Sequence, residues 1–329
     1  MNIWATQGID CAKWGGRVLD AHQRIRASIL ETPLEDASDL FPALSARVLL
    51  KREDLQHTGS FKLRGAANKL FSLTAAQRDA GITAASTGNH GMGVASAAAT
   101  LGAKADIYIS SHVPPAKVKK IESYGARVCR AGNGHLDAEL AARAAATQSR
   151  KVFISPYNDA DVMTGQGTIA VELLRQSPKI DAVFVAVGGG GLIGGIGAYL
   201  KWASPRTEVV ACWPKNSPVL YESIKAGRIL EVAEEPTVSE STAGGLESGS
   251  ITLDVCRDVI DHSVLVSEDE ILDAMRMVQE SQDWLMEGAA GTALAAFLQT
   301  ADRYAGKTVV VVICGGNVSE QVREQVSRR

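Results

Sequence analysis

From about residue 79 onward the chain alternates between short apolar runs and longer segments in which apolar residues recur every three or four positions. The first pattern predicts buried strands and the second predicts helices. Gly81 to Ser86, Ala105 to Ser110, Ala126 to Arg130, Val152 to Ser155, Ala182 to Val187 and Glu208 to Trp213 read as strands. Gly91 to Leu101, Pro115 to Tyr124, Asp137 to Gln148 and Gly167 to Gln176 read as helices between them, with Pro156 to Asp159 as a loop. Upstream, Ile3 to Leu44 reads as mostly helical and polar, punctuated by Pro33 and Pro42, and Arg47 to Lys51 as a short buried strand. Near the end, Thr308 to Ile313 (TVVVVI) has the unbroken apolar, β-branched character of a central parallel strand. Strands alternating with helices imply an α/β fold of parallel sheets covered on both faces, with right-handed crossovers. No repeat of solenoid period and no low-complexity linker interrupts this pattern, so composition alone marks no domain boundary.

One helix start breaks the usual charge pattern. Phe61, Ala66, Leu70 and Leu73 have helical spacing, and Thr58 and Ser60 precede them as N-cap candidates. Lys62 then falls in the first turn, where unpaired amides and the helix dipole disfavour a positive charge, and apolar Phe61 and Leu63 flank it. Dipole and burial both lower a lysine's pKa, which is how a lysine becomes a nucleophile or base near neutral pH. Local chemistry leaves a second reading open, a lysine whose stem snorkels to solvent.

Composition narrows the class without choosing a function. The 329 residues suit one large or two medium α/β domains, and 46% hydrophobic with 22% charged residues is ordinary for a globular protein. A net charge of -3 gives no nucleic-acid footprint. Five cysteines, Cys11, Cys129, Cys212, Cys256 and Cys314, lie far apart without a CxxC, as expected in a reducing cytosol. Met1 to Arg17 shows no signal-peptide pattern. Ala182 to Leu200 carries no charge over 19 residues, but seven are glycine, which favours strand, loop and helix start over a membrane span.

Three loops follow predicted strands and open toward helices or turns. Gly188, Gly189, Gly190 and Gly191, followed by Leu192, offer bare backbone amides and a helix N-terminus, which suit a phosphate. The same stretch contains GxGxxG at Gly189, Gly191 and Gly194, but no acid ends the next strand to hold a ribose, so a dinucleotide is disfavoured. Ser86, Thr87, Gly88, Asn89 and His90 form a second cradle, suited to a carboxylate or to simple helix capping. Cys314-Gly315-Gly316-Asn317 follows Thr308 to Ile313, at the strand end where ligands bind in open parallel sheets.

The motifs SFKLRGA, STGNHG, GGGGLIGG and CGGN, in this order, resemble those of the fold-type II pyridoxal-phosphate enzymes, above all the serine/threonine dehydratase and serine racemase branch. Pro156 to Thr168 and Leu285 to Gly291 resemble the same branch, and the similarity runs from about Ala21 to Val322. The resemblance implies two open parallel-sheet domains of tryptophan synthase β type. Residues 1–78 and 151–329 would form a large cofactor domain, and 79–150 a small mobile one. It implies pyridoxal 5'-phosphate held by Lys62 as a Schiff base, with Phe61 and Asn89 at the ring, Gly188 to Gly191 and Leu192 at the phosphate, and Cys314 at the pyridine nitrogen. Ser86, Thr87, Gly88, Asn89 and His90 would hold the substrate carboxylate, with Lys62 and Thr87 catalytic. The implied reaction turns a β-hydroxy-α-amino acid, of threonine or serine type or as bulky as phenylserine, into a 2-keto acid and ammonia. Alternatives are a serine racemase-like enzyme, a hydroxyectoine-pathway dehydratase, or a nucleotide-binding or sensor protein.

The sequence departs from the branch in three places. Thr87 stands where its racemases use serine. Trp213, Ser217 and Val219 stand where its divalent-cation ligands lie, so no metal is expected. The chain ends soon after CGGN, so no regulatory domain is expected. Ser239 to Leu246 also differs from the usual pattern of a loop near the cofactor, which leaves substrate size open. A cytoplasmic homodimer with an amino-acid substrate and no nucleic-acid or membrane partner completes the expectation.

Overall fold

The computed structural model describes residues 8–328. After α1 (Cys11–Ile25), β1 (Leu34–Asp36) and β2 (Arg47–Arg52), the chain forms α2 (Lys62–Ser72) and α3 (Ala75–Ala80). It then builds a first run of β3 (Ile82–Ala85), α4 (Asn89–Thr100), β4 (Ala105–Ile109), α5 (Pro115–Glu122), β5 (Arg127–Arg130), α6 (His135–Ser149) and β6 (Val152–Phe153). A second run follows with α7 (Ala160–Gln176), β7 (Ala182–Ala186), α8 (Gly191–Ala203), β8 (Glu208–Pro214), α9 (Val219–Ala226), α10 (Thr252–Val259) and β9 (His262–Val266). The chain closes with α11 (Glu268–Gln282), α12 (Gly288–Thr300), β10 (Thr308–Ile313) and α13 (Glu320–Ser327).

Two sheets result. The larger has the order β1-β2-β10-β7-β8-β9, and the smaller β5-β4-β3-β6. Every pairing is parallel except β1 with β2. The Thr308–Ile313 strand lies between β2 and β7, as its unbroken apolar run requires. Val309 to Ile313 are fully buried, and each such side chain stabilises the fold by about 1.5–3 kcal/mol.

The predicted strands recur with ends shifted by one or two residues. Three details differ. The helix expected from Gly167 begins at Ala160, where Asp159 accepts from the amides of Asp161 and Val162. Gly165 and Gly167 lie inside it, where neighbouring backbone leaves no room for a side chain. A Cβ would meet the Arg64 carbonyl oxygen at 2.6 Å or the Gly195 carbonyl oxygen at 2.6 Å. Of the helical, polar stretch expected from Ile3 to Leu44, only Cys11–Ile25 forms an α-helix among the described residues; Ile3 to Gln7 lie outside them.

The third difference concerns the expected boundaries at 78 and 150. Val152–Phe153 pair with β3, in the smaller sheet. Leu63, Ala66, Ala67, Leu70 and Leu73 of the α2 region pack in the core formed with Ile82, Ile107 and Met92. The other face of α2 meets α7, where the Gly65 amide donates to Gln166 Oε1 at 3.0 Å. Helix α2 therefore sits between the two sheets.

Candidate active site

Lys62 opens α2, and the cap differs from the one its sequence predicts. The N-cap is Phe61, in a helical conformation and with no side-chain cap, while the hydroxyls of Thr58 and Ser60 are buried without hydrogen-bond partners. The end of β10 holds this helix start instead. The Phe61 amide donates to the Cys314 carbonyl at 3.0 Å, and Ser60 forms a bridge with Gly315. The motif containing Lys62 and the one containing Cys314 are thus hydrogen-bonded neighbours.

Lys62 Nζ donates to the Pro156 carbonyl oxygen at 2.9 Å and lies 5.1 Å from the centre of the Phe61 ring. Burial lowers its pKa to about 8, against the opposing pull of Glu287 and Cys314. Two residues along, Arg64 is locked by ion pairs with Glu53 at 2.7 Å and Glu172 at 2.5 Å, and Lys51 pairs with Glu172 at 2.6 Å. These four side chains are at most 1% exposed and form two positive and two negative charges in balance. Removing one partner would strand another in a dry interior.

Pro156 also connects Lys62 to the glycine loop. The ring of its neighbour Tyr157 lies where a Cβ on Gly189 would fall, at 2.5 Å, and Tyr157 Cα is 3.0 Å from the position of a Cβ on Gly191. Burial raises the Tyr157 pKa to about 12, and its hydroxyl accepts from the Glu247 amide at 2.8 Å. Gly190 has a φ of 84° and caps α8, with Gly191 and buried Leu192 in its first turn. Only glycine adopts that angle without strain, and the result is a helix N-terminus of bare glycine backbone.

A second cluster surrounds Glu287, a buried residue that the motif reading did not single out. Its carboxylate accepts from Asn89 Nδ2 at 2.7 Å, Ser241 Oγ at 3.0 Å and Cys314 Sγ at 3.5 Å. Burial raises the Glu287 pKa, while those three donors and Lys62 oppose the rise. Burial and the neighbouring Glu287 push the Cys314 thiol well above its ordinary value, so it stays protonated near neutrality. Asn89 Oδ1 accepts from Asn317 Nδ2 at 2.7 Å, which joins two of the predicted motifs directly. The signal for Glu287 was a lone acid just before the glycine- and alanine-rich start of α12.

The cradle after β3 is partly as expected. The Ser86 hydroxyl accepts from the Gly88 amide at 3.2 Å, Ser86, Thr87 and Gly88 are half-buried, and Asn89 begins α4. The His90 ring, however, turns to the Ile154 carbonyl oxygen at 2.9 Å, and burial and then Lys62 lower its pKa to about 3. His90 is therefore neutral, and that nitrogen is the donor. The departing positions in the second half have settled places too: Trp213 is 1% exposed, the Ser217 hydroxyl donates to Glu234, and Val219 starts α9. No group of three or more metal-ligating side chains occurs among the described residues.

A part-buried amine of lowered pKa, a glycine-rich helix start and a buried thiol form a donor set that fits a phosphorylated pyridine aldehyde. A family model described as "Pyridoxal-phosphate dependent enzyme" matches residues 25–315. The L-threonine ammonia-lyase of Thermotoga maritima is 35% identical over 309 residues, covering 94% of this chain and 77% of that protein. Among solved structures, the processed form of threonine deaminase isoform 2 from Solanum lycopersicum matches with a TM-score of 0.92 at 30% identity, covering 97% of this chain and 94% of that one. Maize serine racemase matches with a TM-score of 0.88 at 29% identity, over 95% and 96% of the two chains.

Proposed function

The chain belongs to the pyridoxal-phosphate dependent enzymes, and from that premise we propose that it is a lyase converting a β-hydroxy-α-amino acid to a 2-keto acid and ammonia. The net change removes water from the substrate and returns it when the nitrogen is released. The observation that carries this reading is the Lys62 amine, with its pKa near 8 and the Pro156–Tyr157 loop joining it to the glycines. When bound, pyridoxal phosphate supplies an electron-withdrawing ring that stabilises negative charge at the substrate Cα.

The chain's own residues supply the rest. Lys62 would hold the cofactor aldehyde until the substrate amine displaces it, and the freed amine would then take the Cα proton, since a pKa near 8 leaves part of it unprotonated at neutral pH. Gly188 to Gly191 and Leu192 hold the phosphate through backbone amides and the N-terminus of α8. Phe61 would pack beside the ring, and the Asn89 amide, which also donates to Glu287, would hold the ring oxygen. Cys314 would meet the pyridine nitrogen with a protonated thiol, which does not favour a charged ring and so would moderate the electron withdrawal that the ring supplies. Ser86, Thr87, Gly88 and Asn89 hold the substrate carboxylate, with the backbone of His90 as the last member of that turn. The smaller sheet with its helices, residues 79–153, would act as the mobile cover of the site.

Keto-acid release across threonine, serine, phenylserine and 3-hydroxyaspartate tests the reading; release from none of them overturns it. A second reading, serine racemisation, draws on the likeness to maize serine racemase and on the Thr87 hydroxyl. The Thr87 methyl restricts that hydroxyl's rotation, so D-serine is expected only as a minor product. Chiral analysis of serine after incubation separates the two. We further propose that it is a cytoplasmic homodimer, which sedimentation and cell fractionation would check.

A further inference from the structure

One carboxylate ties three parts of the site together. Glu247 lies in the long loop between α9 and α10; its side chain accepts from Ser155 Oγ at 3.1 Å and Asn158 Nδ2 at 2.9 Å, and pairs ionically with Arg143 at 2.8 Å, a guanidinium that also donates to Glu139 at 2.8 Å. Arg143 belongs to α6, on the smaller sheet, and its guanidinium also stacks 4.1 Å above the Phe153 ring of β6. Ser155 and Asn158 bracket Pro156, which holds Lys62 Nζ, and Tyr157, which lies against Gly189. The backbone of Glu247 reaches the same loop a second time, through its amide on the Tyr157 hydroxyl. The Asn158 side chain answers by accepting from the Ile251 amide at 3.0 Å, so both ends of this loop pair are pinned.

We propose that Glu247 is a positioning residue: through Arg143 it couples the seating of α6 to the placement of the Lys62 amine and the Tyr157 ring against the glycine loop. The proposal rests on the cofactor and reaction assigned above. Its physical basis is that three hydrogen bonds to one residue fix a four-residue loop, whose second and third members touch both ends of the proposed cofactor site, while an ion pair ties the same residue to α6. Displacing such a support by a fraction of an ångström misplaces the groups that it carries. Arg143 is 38% exposed and Glu247 21%, so their pair adds little to global stability, and an effect on the site can be separated from unfolding.

The test compares the full-length protein with Glu247→Gln, Arg143→Met and the double variant. Two readouts are used: the rate at which pyridoxal phosphate added to cofactor-stripped protein acquires the absorbance band of its lysine-bound form, and kcat and KM for keto-acid release. Each variant is expected to melt within about 3 °C of the parent. Glu247→Gln should slow band formation and lower kcat by about tenfold each, with KM within about twofold. Arg143→Met should act in the same direction, and the double variant should be no slower than Glu247→Gln alone. Unchanged band rates, losses that multiply in the double variant, or a change confined to KM would each overturn the proposal. If Glu247→Gln does not fold, Arg143→Met must still slow the band, and failure to do so overturns it as well. Band formation needs no substrate, so an active-site band without keto-acid release refutes the reaction assigned above, and the band rates alone then decide the role of Glu247.

Discussion

The larger sheet secures its side of the site with charges that water does not reach, and the smaller sheet secures its side with charges that water does reach. Arg64 of α2 and its partners Lys51, Glu53 and Glu172 have at most 1% exposure. Across the site, Arg143 to Glu247 and Lys120 to Asn317, the latter at 2.7 Å, are polar contacts on or near the surface. The strands differ in the same sense: β7 and β10 are wholly buried, whereas β5 has exposed ends and β6 has only two residues. Buried ion networks break only with a large penalty, while exposed pairs open cheaply. The contrast explains how one lysine is held at a defined place while the loop proposed to receive substrate rests on a part of the molecule that can yield.

The most severe break in this comparison is at the lysine itself. Lys62→Ala should lower keto-acid release by about a thousandfold or more and abolish the lysine-bound cofactor band. Retention of both would remove the fixed side of the site altogether. Next comes the network beneath it. Glu172→Gln leaves Lys51 and Arg64 with Glu53 as the remaining carboxylate of the network, and should cost about 3 kcal/mol or more in denaturant unfolding.

A third test uses pH. The rate at which Lys62 captures cofactor should rise toward pH 8 and level off above it. Stability carries the same signature in protein without cofactor. The folded pKa, about 8, lies below the free-lysine value of 10.5, so between these values the unfolded chain binds more protons. The penalty is complete below pH 8 and disappears as pH rises toward 10.5, so stability should climb across that window in the parent and not in Lys62→Met. The smallest effect belongs to the exposed side. Lys120→Ala should alter unfolding free energy by less than about 1 kcal/mol. A loss as large as that of Glu172→Gln would erase the distinction between the two sides.

Much of the architecture was legible in one dimension. Alternating apolar runs placed the strands, and β10 was recognisable as central because only a strand buried on both faces is apolar throughout. Lys62 stood out because a base in a helix's first turn contradicts the dipole, although burial proves to be the main cause of its lowered pKa. The helical course of Ala160 to Gln166 was hidden, since the glycines at 165 and 167 answer to close packing against Arg64 and Gly195. The orientation of His90 was hidden as well: the same residue suits a carboxylate cradle or a hydrogen bond to Ile154, and only the neighbouring strand chooses.

Local order along a chain reports what each backbone segment prefers and which face it must bury, and that was enough for the alternating α/β pattern, the glycine loop and the singular lysine. The meeting of Asn89 with Glu287, 198 residues apart, and of Arg143 with Glu247 depends on how two sheets pack around α2. Such pairs leave no periodic trace, because a hydrogen bond between distant residues constrains their separation in space and not their spacing in sequence.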